Sequence, residues 1–209
     1  MSDISPQWGF DTVPSIWTNE TDSYSQIGYD VVIYTPNNFI QYQGPTVTYY
    51  ASATVSPVSA TLSTIDQTIE AQGDDTIIYI YEGWPDMAGY GNFPDSIDLD
   101  RYYGDATTSY HDWYLEYHDQ LVLSRPDVVI RMIPINLILT NLFTSIYLSS
   151  MTLIEKYEDG AYGQGSLCFL ASLITYASLV REFPPESFSI PSTVHSAIRE
   201  NYSAIRSQN

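Results

Sequence analysis

An α/β fold in a single domain, built on a mostly parallel sheet with helices on both faces, is what the amino-acid sequence predicts. Three observations carry this expectation. The runs YDVVIYT (29–35), TIIYIYE (76–82) and DVVIRMIPI (127–135) are β-branched and apolar almost throughout, the pattern of strands covered on both sides. Stretches with helical start and stop signals separate them, as crossovers between parallel strands require. A chain of 209 residues that is 44% hydrophobic can also bury one sizeable core without a second domain.

Taken in order, residues 1–27 carry Pro6, Pro14 and many hydroxyl residues with no clear period, so they read as an irregular arm ahead of a body over 28–209. Trp8, Phe10, Ile16 and Trp17 give that arm enough apolar mass to dock, while its prolines interrupt any long ladder. After the first strand a helix is expected over Pro57–Ala71, ended by Gln72 and Gly73, and then the second strand. GWPDMAGYGNFPDS is dense in Gly and Pro, a loop at a strand end. The next helix starts near Ser109 or earlier and runs to about Ser124, where Arg125-Pro126 breaks it before the third strand. A helix near 136–148, an acidic turn, a helix over Gly165–Arg181 and a last one over Ser192–Arg206, with Ser192 as N-cap, complete the chain.

Charge limits the partners. The net charge of −18, from 25 acids against 7 bases, repels phosphate backbones, which excludes nucleic acid and anionic membrane surfaces. Only 15% of residues are charged, and a surface of hydroxyls and acids suits a saline, extracellular or particle-associated setting. Cys168 stands alone, so neither an intrachain disulfide nor a cysteine zinc site is expected, and no motif calls for a cofactor. No apolar stretch reaches the roughly 20 residues that span a bilayer, since ILTNLFTSIYLSSMTLI is broken by polar residues. The opening MSDISPQWGF lacks the basic start and apolar core of a signal peptide.

Ligands of parallel sheets lie at the carboxyl ends of the strands, which here are TPNNF (35–39), EGWPDMAGYGNF (82–93) and IPINL (133–137). Glu82 and Asp86 flank Trp84, and paired acids beside an aromatic platform suit acid and base roles in sugar hydrolysis, or the binding of a sugar. The competing reading is that Trp84, Tyr90 and Phe93 pack the loop down and Glu82 bonds to backbone. His111 and His118 share a helical face with Leu115 between them, next to an acidic stripe of Asp112, Glu116 and Asp119. Neither histidine has a ligating partner four residues away, so the helix reads as solvated and acidic on that side. His195 reads as a surface-helix residue.

YIYEGWPDM, HDWYLEYHDQLVLSRPDVVIRMIP and YEDGAYGQGSLCFLASLITYASL follow one another in an order and spacing that resembles the SGNH, or GDSL-like, hydrolases over roughly residues 29–206. The likeness is to bacterial members with a YxYExW stretch after a central strand. It implies a three-layer α/β/α fold of SGNH/flavodoxin-like type and, in active relatives, ester hydrolysis, often on acylated carbohydrates. The family's nucleophile lies in a Gly-Asp-Ser or Gly-His-Ser turn after the first strand. No such turn follows a strand here, and Ser2 and Ser5 precede every strand. The oxyanion-hole asparagine corresponds to Asn37 or Asn38, though turn preference favours a plain strand-end Asn-Asn turn there. The family's Asp-x-x-His becomes Asp159-Gly160-Ala161-Tyr162, and a phenol with a reference pKa of about 10 does not replace an imidazole near neutrality.

The resemblance therefore leaves Asn37, Asn38 and Asp159 as remnants of a catalytic set, with Glu82, Trp84, Asp86 and Tyr162 as candidate ligand-binding residues. It also implies a missing first strand, whose neighbour's edge must be covered by the arm, by a second copy of the chain in a homo-oligomer, or by another protein. Nineteen tyrosines and a single lysine, Lys156, suit an interface. The expectation is a non-catalytic SGNH-like structural or binding module in an assembly, with a glycan as candidate ligand. The alternative is a carbohydrate esterase whose nucleophile comes from a partner chain or a missing segment.

Overall fold

A computed structural model describes residues 24–36, 43–48, 54–90, 95–160 and 162–207. Asn37, Asn38, Phe93 and residues 1–23 of the arm, with its four large apolar side chains, lie outside the described residues. The elements are α1 (Tyr24–Ile27), β1 (Val31–Tyr34), α2 (Pro57–Gln72), β2 (Ile77–Tyr81), a 3-10 turn at Met87–Tyr90, α3 (Ser96–Thr107), α4 (Ser109–Ser124), β3 (Ile130–Ile133), α5 (Ile135–Thr144), α6 (Leu153–Lys156), α7 (Gly165–Val180), α8 (Ser196–Glu200) and α9 (Tyr202–Arg206). The class is mixed α/β, a small parallel three-stranded sheet with helices, and is compatible with three layers. The strands stand in the order β1-β2-β3, with Ile78 opposite Val32 on one side and Ile130 on the other.

Local chemistry places the helix ends. Ser56 caps α2 by accepting from the Ser59 backbone N–H, Ser59 returns the bond to close a capping box, and Pro57 occupies the first turn. Gly73, at φ 108°, ends the helix in a conformation that side chains avoid. Asp95 caps α3 by accepting from the Ile97 and Asp98 backbone N–H groups, each at 3.0 Å. Ser192 does not cap the last helical region. A turn closed by Val194 N–H on the Pro191 carbonyl delays its start, and the His195 side chain caps α8 by accepting from Ala197 N–H at 3.1 Å.

Alternation along β2 divides the core. Ile78 and Ile80 join Ile65, Trp113, Tyr114 and Tyr117 from α2 and α4. Tyr79 joins the second cluster with Tyr102, Leu139, Phe143, Leu170 and Ile174 from α3, α5 and α7. β1 departs from the sequence expectation, because Val31 and Ile33 remain 36% and 38% exposed. Only Val32 and Tyr34 pack inward, towards the α2 side. α7 lies over the other half of the sheet, where Tyr79 Oη donates to the Ser178 carbonyl at 3.4 Å, and so leaves this face of β1 open among the described residues. The end of the predicted arm is ordered as α1. Gln72 clamps it, donating to the Tyr24 carbonyl at 2.6 Å and accepting from the Tyr29 backbone N–H at 2.7 Å.

Lys156 is 4% exposed, with Nζ 4.9 Å from the Phe143 ring centroid and 3.4 Å from Tyr103 Oη. Burial lowers its pKa to about 8. Among the described residues no helix is long and apolar enough to cross a membrane.

Candidate functional site

Glu82 follows the last residue of β2, at the carboxyl end of the central strand, where a parallel sheet presents its ligands. Its backbone is fixed on both sides: its N–H donates to the Ile133 carbonyl at 3.1 Å, and its carbonyl accepts from Asn136 N–H at 3.3 Å. The side chain is completely buried. Oε1 lies 2.9 Å from His111 Nδ1, while the buried Oε2 has no hydrogen-bond partner. Burial raises the Glu82 pKa from 4.5 to about 7, with His111 and then Asn136 opposing the rise by favouring the carboxylate. Around this pair, Tyr110 presents a second buried and unpartnered oxygen, and Asn136 Nδ2 donates to the Ala106 carbonyl at 2.5 Å, tying α5 to α3.

His111 is the partner of Glu82 that sequence reasoning missed. The acids of its helix are exposed as expected, but both histidines turn inward. His111 reaches Glu82, and His118 Nε2 lies 3.3 Å from the Ile130 carbonyl. Seven residues separate them, about 10 Å along a helix axis. The available signal was topological. A helix that leads into a parallel strand begins near the carboxyl edge of the sheet, so the first turn of α4 had to approach the end of TIIYIYE. With Nδ1 facing a carboxylate, Nε2 of His111 has no hydrogen-bond partner among the described residues.

Asp86 and Glu82 differ in setting. Asp86 is exposed, whereas Glu82 is enclosed and takes histidine as its partner. Trp84 and the acidic turn do come together. The Met87 backbone N–H donates to the Gly160 carbonyl at 2.7 Å, and a Cβ added at Gly163 would fall 3.2 Å from Trp84 Cζ2 and 2.5 Å from Leu167 Cδ2. Glycine is what allows this approach. Tyr102 Oη, donating to the Pro85 carbonyl at 2.9 Å, and Tyr90 Oη, donating to Asp105 at 2.7 Å, anchor the same loop to α3.

Asp159 Oδ1 accepts from the Tyr162 backbone N–H at 2.9 Å, so this acid closes its own turn. The Tyr162 ring is 67% exposed. Tyr162→His is expected to produce no esterase activity, because a base without a nucleophile adds little. A p-nitrophenyl acetate assay checks this, and a rate above the buffer blank that grows with protein concentration would contradict it.

Among the described residues no three His, Cys, Asp or Glu side chains gather into a metal-binding group. Compared with protein-family models, curated proteins and solved structures, the chain gives no match.

Proposed function

We propose that this chain is a non-catalytic binding module on a degenerate SGNH-like, three-layer α/β/α scaffold. It takes a hydroxyl-rich ligand, a glycan by class, at the carboxyl end of the sheet. The observation that carries the reading is the buried Glu82–His111 pair at the carboxyl end of the central strand, which leaves His111 Nε2 without a hydrogen-bond partner among the described residues. An imidazole held by a buried acid offers a fixed hydrogen bond to a sugar hydroxyl, while Trp84, packed against the second core cluster and the Gly163 turn, shapes the loop beside it. Assembly through the open β1 face, as a homo-oligomer or with another protein, belongs to the same proposal and is supported by the exposed Val31 and Ile33.

The unpartnered Nε2 also favours a second reading, a carbohydrate esterase in which His111 is the base. Against it, no Ser, Thr or Cys side chain hydrogen-bonds to His111 among the described residues, so the base has no nucleophile to activate. One experiment separates the two. The labelled chain and its His111→Gln variant are applied to a glycan array, and both are assayed on p-nitrophenyl acetate. Array signal lost in the variant, with hydrolysis no faster than the blank, is the expected result. Hydrolysis lost in the variant would establish the esterase instead, and array signal equal in both proteins or absent from both would overturn the binding site.

A further inference from the structure

On the Tyr79 side of the sheet, along the outer edge of β3, lies a cleft of about 460 Å³ whose walls include Arg131, Arg181, His118, Tyr79 and Ser178. No acidic residue lines it. This is unusual in a chain where 25 acids face 7 bases. Three other bases meet acids, Arg101 with Asp98, Arg125 with Asp66 and Asp127, and Arg206 with Glu186, while Lys156 is enclosed beside Tyr103. Arg199 bonds the Val194 carbonyl through Nε. Arg131 and Arg181 have no carboxylate partner among the described residues, and they share one cleft.

The geometry points to an oxyanion site, with these two guanidiniums as the ligand-holding groups. Arg131 is half-buried and fixed: Nη1 donates to Tyr79 Oη at 3.0 Å, and its guanidinium carbon stands 5.7 Å from the Tyr79 ring centroid. A guanidinium held in this way has lost part of its hydration and rotamer freedom, so a bound anion pays little further ordering cost. Arg181 approaches from the end of α7 at φ 60° and ψ 25°, the one described side-chain-bearing residue with positive φ. Glycine is the usual occupant of such a position, and an arginine there spends conformational strain to place a charge.

His118 contributes wall more than a contact, since Nε2 faces the Ile130 carbonyl and Nδ1 lies 3.7 Å from the exposed Asp119. Two like charges in one cleft repel unless an anion lies between them, and a forked donor on each side fits the oxygens of a carboxylate, sulfate or phosphate group. The cleft is larger than such a group alone, which leaves room for the organic body that carries it. This site is independent of the Glu82–His111 pair: His118 and His111 stand two turns apart on α4, and the binding proposed for one does not require the other.

Proton–nitrogen correlation spectra of the full chain, titrated with sodium acetate, sulfate and phosphate at constant ionic strength, test the site. Saturable shifts confined to the Arg131 and Arg181 side-chain signals and to the start of β3 are expected. The anion that saturates first identifies the planar or the tetrahedral class. Arg181→Gln, at an exposed position, should weaken that anion by about tenfold, the loss of one charge-assisted contact, while the rest of the spectrum stays dispersed and unshifted. Shifts that stay linear for all three anions, or an Arg181→Gln titration that coincides with the parent's, would overturn the proposal.

Discussion

Glutamine in place of Glu82 should stabilise the protein above neutral pH, by an amount of order 3 kcal/mol. Burial raises the carboxyl from 4.5 to about 7, and each unit of pKa difference is worth about 1.4 kcal/mol. The folded state holds this proton more tightly than the unfolded chain does. The parent's stability from this group is therefore complete below the unfolded value and declines as pH rises through about 7. Glutamine keeps the shape and carries no charge, so Glu82→Gln should gain most in alkaline buffer and converge with the parent in acid. Urea denaturation at about pH 5 and about pH 9 reads the difference. Unfolding midpoints offset equally at both pH values would show that the charge on Glu82 costs the fold nothing.

Tyr117→Ala should cost about 3–5 kcal/mol, the range for emptying an aromatic site in a packed core. Tyr117 is fully buried, and its ring stacks on Trp113 at 5.1 Å between centroids. Its hydroxyl shares a hydrogen bond with the Thr61 hydroxyl, which joins α4 to α2 across the cluster that covers Ile78 and Ile80. Tyr117→Phe keeps the ring and removes that link, at about 1 kcal/mol. Guanidinium denaturation of the three proteins orders them. If the two variants lose equally, the hydroxyl rather than the ring carries the site.

The strands and long helices were legible because their signals are local. Val31–Tyr34, Ile77–Tyr81 and Ile130–Ile133 lie inside the three apolar runs, and Pro57, Gly73 and Arg125-Pro126 bound their helices by chemistry that acts over a few residues. α3 was harder to separate because it joins α4 at Thr108 with no Pro or Gly between them. Glu82 was legible as a strand-end acid. Its partner was not, because His111 comes from an element 29 residues onward, and the periodicity of a helix does not say which turn meets a strand end. Exposure of Val31 and Ile33 was illegible for the same reason: an apolar run shows what a strand can bury, and which half of the sheet α7 covers depends on how that helix docks.

Lys156 gives the protein a built-in chemical clock. It is the chain's single lysine, and it is enclosed beside Phe143 and Tyr103. Lysine-directed acylating reagents thus find no lysine on the native surface, and they can label this residue only when the packing around α6 opens. In the regime where opening is fast and reversible, the labelling rate follows the equilibrium population of the open form. A mass shift on the peptide that carries Lys156 then reports the stability of the second core cluster, without denaturant and without a mutation.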